Sequence, residues 1–219
     1  ELTHIIGRET ARHFGVTGNA FLSCPSDFNY GCQHGFFEFV LGQSNSSSEA
    51  ATAICENLPA NLPLKDKFYC YHGAGHGVMM ATAYNLGKAL SVCDSLPSDK
   101  AAEGCWQGVF MENVNGEMRR EPGIDVFDKN GPLAPCNRLA EKYQFQCYIN
   151  HAGYLVQFHK GSLKSSAASC LKASSPKVVS ACMQSLGLMI TNPGWQKALS
   201  HGKSQGGLAE TAIELCKEF

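Results

Sequence analysis

The chain has 219 residues, a formal net charge of −1, 44% hydrophobic residues and only 17% charged ones. Such a chain can bury a core, and without a basic run longer than a pair it lacks the phosphate-backbone footprint of a nucleic-acid-binding protein. The most apolar stretch, Gly77 to Leu90, is broken by Thr82, Asn85, Gly87 and Lys88 and falls short of the roughly 18 apolar residues of a membrane span.

In chain order, the N-terminal segment Thr3-His4-Ile5-Ile6-Gly7-Arg8 reads as a further partial repeat unit. Phe36 to Val40 has the apolar character of a strand but occupies the place of a helix. Helices are expected over Ala51–Leu58, Phe68–Tyr84, Lys88–Leu96, Ala101–Val114, Leu133–Tyr143, Tyr143–His159, Ser165–Lys172, Lys177–Ile190 and Leu208–Phe219. Ser98-Asp99 supplies a capped start, and Ser175-Pro176 places proline at a first helical position, where its missing N–H costs nothing. Gly116 to Pro132, with Arg119, Arg120, Glu121, Asp125, Asp128 and Lys129, reads as a long polar loop.

Eleven cysteines punctuate these elements. No CxxC, haem-attachment CxxCH or zinc-finger spacing is present. The cysteines instead fall into the couples Cys24/Cys32, Cys55/Cys70, Cys93/Cys105, Cys136/Cys147 and Cys170/Cys182, with Cys216 left over. Their spacing suits disulfides and therefore an oxidising compartment: secreted, periplasmic or cell-surface. A first residue of Glu rather than Met, without a signal-peptide-like stretch, reads as a processed product. Asn45-Ser46-Ser47 matches a glycosylation acceptor.

The second cysteines recur after 38, 35, 42 and 35 residues, a period in the range of repeat arrays. The expectation is one all-α domain over 1–219, built of five helical hairpins, each clipped across its turn by a disulfide. Cys216 would open a sixth, truncated hairpin. In logic, though not in signature residues, the layout resembles tetratricopeptide- and Sel1-type solenoids. In the phrases Cys32-Gln-His34-Gly35 and Cys70-Tyr-His72-Gly73 it resembles α/α toroids such as the lanthionine-cyclase fold. The cyclase ligand pattern is not reproduced, so no activity is implied.

Beside those two phrases stands a near-identical third, Cys105-Trp-Gln107-Gly108. Two residues after the second cysteine stand His34, His72, Gln107 and, in the fifth unit, Gln184. Six after it stand Glu38, His76 and Met111. On a helix these positions share a face. His34/Glu38 and His72/His76 are therefore i, i+4 pairs able to grip one ion, and stacking would converge all four. Glu112 and Gln107 are supporting candidates. Zinc, copper and iron all accept imidazole and carboxylate, and haem iron accepts a histidine, so the donors do not select among them. Oxidised cysteines are not ligands. Met79 and Met80 belong to the core and matter only if the ion is copper, and His159 and His201 belong to the surface. The glycines equally suit close helix approach beside a disulfide.

Two further readings stand beside the metal site. One is a metal-free structural or assembly subunit, forming a homo-oligomer or binding a protein partner through a helical face or Cys216. The other is a hydrolase using Glu112 and His72.

Overall fold

A computed structural model describes residues 2–119 and 131–191. The expected helix over 208–219, Cys216, His201 and most of the polar loop lie outside them. The described residues are helical, with no strand among them. The helices are α1 (Leu2–Phe14), α2 (Gly18–Leu22), α3 (Asp27–Gly42), α4 (Ser47–Cys55), α5 (Leu64–Ala81), α6 (Leu86–Asp94), α7 (Asp99–Arg119), α8 (Glu141–Ile149), α9 (Ala152–Phe158), α10 (Leu163–Cys170) and α11 (Pro176–Thr191). The chain forms two compact units, residues 1–124 and 125–219.

Local chemistry sets many of the helix starts. The Thr17 side chain caps α2 by accepting from the Ala20 N–H. Asn85 accepts from Lys88 at the head of α6, Ser98 from Ala101 at α7, and Ser162 from Ser165 at α10. α11 opens on Pro176, as the Ser-Pro step predicts. The apolar run Phe36–Val40 lies within α3, because Phe36, Phe37, Val40 and Leu41 are needed on buried faces of one long helix.

In the first unit the long helices α1, α3, α5 and α7 pack each against the next, and α2, α4 and α6 lie against them and one another. Phe21, Phe36, Phe37, Leu41, Ile54, Met79 and Phe110 fill the core. The couples Cys24–Cys32, Cys55–Cys70 and Cys93–Cys105 are disulfides here, as are Cys136–Cys147 and Cys170–Cys182 in the second unit, with Cα–Cα distances of 5.3–5.7 Å. The pairing inferred from spacing is the pairing formed. Closing a loop of about 15 residues contributes roughly 3 kcal/mol in the chain-entropy account.

Two expectations need correction in the second unit. Residues 133–143 are not a helix. They run as turns and a single 3₁₀ turn, Cys136–Arg138, before α8 begins at Glu141. Leu139 and Ala140 are extended, with ψ of 155° and 146°, and they separate the 3₁₀ turn from α8. The helix expected over 143–159 is two helices, α8 and α9, parted at Asn150-His151. His151 Nε2 is 2.7 Å from the Pro132 carbonyl, and the Ala152 N–H donates to Ser185 Oγ. These tertiary bonds replace the helical ones. Two smaller corrections concern surface and core. Met80 is 38% exposed, whereas Met79 is buried. Met80 lies in the last turn of α5, one residue on from the buried Met79 and so on a different side of the helix. His159 is half-buried and bonded to Ser169. Asn45 is exposed in the turn before α4.

Candidate metal centre

Close helix approach builds the site, and glycine permits it. A Cβ on Gly108 of α7 would collide with the His72 carbonyl of α5, and one on Gly75 would collide with the Cys105 carbonyl. A Cβ on Gly77 would come 2.7 Å from the Phe37 carbonyl of α3. The run Gly73-Ala-Gly75-His-Gly77 thus serves two neighbours. Gly73 and Gly77 face α3, and Gly75 faces α7. Any side chain there would push apart the helices that carry the imidazoles.

Between these backbones lie His34 of α3 and His72 and His76 of α5, all three buried, with ligand nitrogens within 4.8 Å of one another. His76 Nδ1 lies 2.9 Å from Glu112 Oε2 of α7, and His72 Nδ1 lies 3.0 Å from Gln107 Oε1. Tyr84 Oη donates to the other Glu112 oxygen at 3.2 Å. Tyr84 and the preceding Ala83 hold φ angles of 57° and 50°, a region that side chains other than glycine seldom adopt. That turn aims the phenol back at Glu112.

These partners set the tautomers. A carboxylate and an amide oxygen only accept, so Nδ1 of both histidines carries the proton and Nε2 presents a lone pair. The two Nε2 atoms face each other at 3.3 Å. In the neutral forms two lone pairs facing at that distance repel, and a metal cation between them would relieve the repulsion. A tetrahedral ion bonded to two imidazoles at about 2.0–2.1 Å holds their nitrogens roughly 3.3–3.4 Å apart. His34 stacks on His76, ring centres 4.1 Å apart, and its own Nε2 is buried without a hydrogen-bond partner. An orphaned buried nitrogen of this kind is costly unless something binds it.

Burial also favours the neutral forms of His72 and His34. It pushes His72 down to about 4, with the Gln107 hydrogen bond opposing it. Burial, then the nearby His76, His72 and His4, pushes His34 well below the ordinary 6.5. Neutral imidazole is the form that binds metals.

Of the other expected residues, Glu112 and Gln107 stand behind His76 and His72 respectively, and Glu112 meets His76 rather than His72. Glu38 lies outside the three-histidine group. Its oxygens meet His4 Nδ1 at 2.5 Å and Arg8 Nη1 at 2.6 Å. Burial alone would raise its pKa, but these two partners outweigh burial and leave it below the ordinary 4.5. Gln184 belongs to the second unit, where no such group of histidines and acids forms among the described residues. Sequence reasoning did not single out Tyr84 or Arg8. Tyr84 follows the helix end and carries no positional signal. Arg8 was visible as the residue after a His-x-x-Gly.

Among the described residues, helices clipped by disulfides around buried imidazoles are the class that fold and site define. No protein-family model, curated protein or solved structure matches the chain.

Proposed function

We propose that this is an extracellular metal-handling protein that holds one transition-metal ion through Nε2 of His34, His72 and His76. The observation that carries the reading is the pair of facing Nε2 atoms, 3.3 Å apart, with a third partnerless Nε2 beside them. Glu112 and Gln107 orient the rings from behind, as supporting acceptors do at metal-bound histidines. Three imidazoles leave a tetrahedral ion one further position, which suits zinc or copper bound exchangeably rather than sealed in. The buried Glu112 carboxylate supplies negative charge that a dication offsets. Five disulfides suit a compartment where thiols are oxidised. We further read the helical hairpins as copies of one unit, because the same glycine-on-carbonyl contacts recur between α1 and α3 as between α5 and α7.

Elemental analysis after loading with zinc or copper and desalting tests the site. One ion per chain is expected in the parent, and none in the His72→Ala, His76→Ala double variant. A parent that retains no ion, or a double variant that retains it fully, rejects the proposal. Protons compete with the metal for the Nε2 lone pairs, so affinity should fall as pH falls toward the depressed His72 value of about 4.

A further inference from the structure

A site this deep needs a way in, and a partly exposed imidazole, His4, lies against it. His4 of α1 is 28% exposed at its side chain, while His34, His72 and His76 are 7%, 5% and 2% exposed. The His4 and His34 rings have centres 5.6 Å apart, and those of His34 lie 5.7 Å from His72 and 4.1 Å from His76. An imidazole nitrogen lies about 1 Å from its ring centre, so two rings sharing one ion through bonds of about 2.0–2.1 Å can have centres up to roughly 6 Å apart. That limit applies to an ion lying between the two rings, as in a transfer step, and each neighbouring pair along the line His4, His34, His72 and His76 lies within it.

His4 is prepared for such contact. Its Nδ1 is engaged by Glu38, which leaves Nε2 to a metal, the same division of labour that Glu112 imposes on His76. The second Glu38 oxygen is occupied by Arg8. With that guanidinium in place the carboxylate is already neutralised, so a cation gains little by stopping there.

We propose that His4 is the port of the metal centre: an ion from solvent binds His4 first and passes by ligand exchange to His34 and then to the buried pair. In each step one metal–nitrogen bond forms as a bound water or the previous imidazole leaves, and no electron moves. The inference rests on the three-histidine site proposed above. A port lowers the barrier in both directions and leaves the equilibrium alone.

The test is the rate of zinc exchange between the loaded full-length protein and a chromophoric chelator, with uptake followed in the reverse experiment. The variant is His4→Gln, whose amide can keep the bond to Glu38, with His4→Ala beside it. Circular dichroism confirms that each is folded. Uptake and release should both slow by the same factor, with one ion per chain and an unchanged dissociation constant. Parental rates in both variants overturn the port. Faster release with weaker equilibrium binding also overturns it, because His4 would then be a resting ligand. A change in rate found only on truncating Tyr69 overturns it too. Tyr69 lines a cavity of about 300 Å³ and meets the His72 ring, so it would mark another route. A parent that binds no zinc sinks the site and the route together, whereas a parent that binds zinc and exchanges it independently of residue 4 sinks the route alone.

Discussion

The α1/α3 crossing and the α5/α7 crossing are alike in backbone and unlike in chemistry. In both, a glycine of the second helix sits on a histidine carbonyl of the first: Gly35 on His4, and Gly108 on His72. In both, a glycine of the first helix sits on a cysteine carbonyl of the second: Gly7 on Cys32, and Gly75 on Cys105. The residue after that glycine differs. It is Arg8 in one crossing and His76 in the other. Arg8 joins His4 in closing an ion pair on Glu38. His76 instead turns an Nε2 toward His72 and leans on Glu112. The crossing is scaffold, and one position four residues after its histidine decides whether it holds a salt bridge or faces two lone pairs.

Exchanging that position is the most severe way to break the comparison. His76→Arg should pair with Glu112 and abolish retention of zinc through desalting, as read by elemental analysis. Arg8→His should create a second i, i+4 histidine pair and add weaker binding detectable by equilibrium dialysis. If His76→Arg still holds an ion at parental affinity, the equivalence has no chemical content. A smaller effect is expected from the supporting acids. Glu112→Gln should weaken metal affinity by about 10–100-fold, whereas Glu38→Gln should leave the dissociation constant unchanged. Competition with a chelator of known affinity distinguishes them.

Acid should separate the two crossings without mutation. In metal-free protein His72 titrates near 4, below its ordinary 6.5. On acidification the unfolded chain therefore takes up the proton first. The stability tied to neutral His72, roughly 3 kcal/mol, is complete above 6.5 and drains away between 6.5 and 4. Glu38 is depressed below 4.5, so its contribution is complete above 4.5 and is lost only as pH falls through its lower folded value. Hydrogen exchange at pH 5 should show α5 amides loosened before those of α1, and His72→Asn should flatten the pH dependence of the urea midpoint. Simultaneous loosening would show that the crossings are not independent.

The mildest change adds one methyl group. Gly35→Ala and Gly108→Ala each drive a Cβ into a neighbouring carbonyl and should cost about 1–3 kcal/mol, read from urea unfolding. Gly108→Ala should weaken zinc binding the more, because the carbonyl it displaces belongs to His72, whereas Gly35 meets the carbonyl of His4, outside the three-histidine group.

Much of this was legible from spacing. Helical period and cap chemistry are local properties, so α6, α10 and α11 emerge close to their expected bounds, whereas α5 is displaced toward the N-terminus and α7 runs on to Arg119, into the segment expected as a polar loop. Cysteines 8 to 15 residues apart across a turn have few other partners within reach, so all five disulfides could be read from the sequence. An i, i+4 spacing lies on one helix face wherever the helix goes, so His72 and His76 had to be neighbours. Where the backbone answered to distant partners, spacing failed. The break at His151 depends on Pro132 and Ser185, and the redirection of Glu38 depends on Arg8, thirty residues away.

By itself, then, the order of residues determined helices, disulfides and histidine pairs, because each depends on neighbours a few positions apart. Which carboxylate stands behind a histidine and which is locked in an ion pair was decided only in three dimensions. Glycine contacts set how far α1, α3, α5 and α7 slide along one another, and that offset brings His34 to His76, Glu112 to His76, and His4 to Glu38.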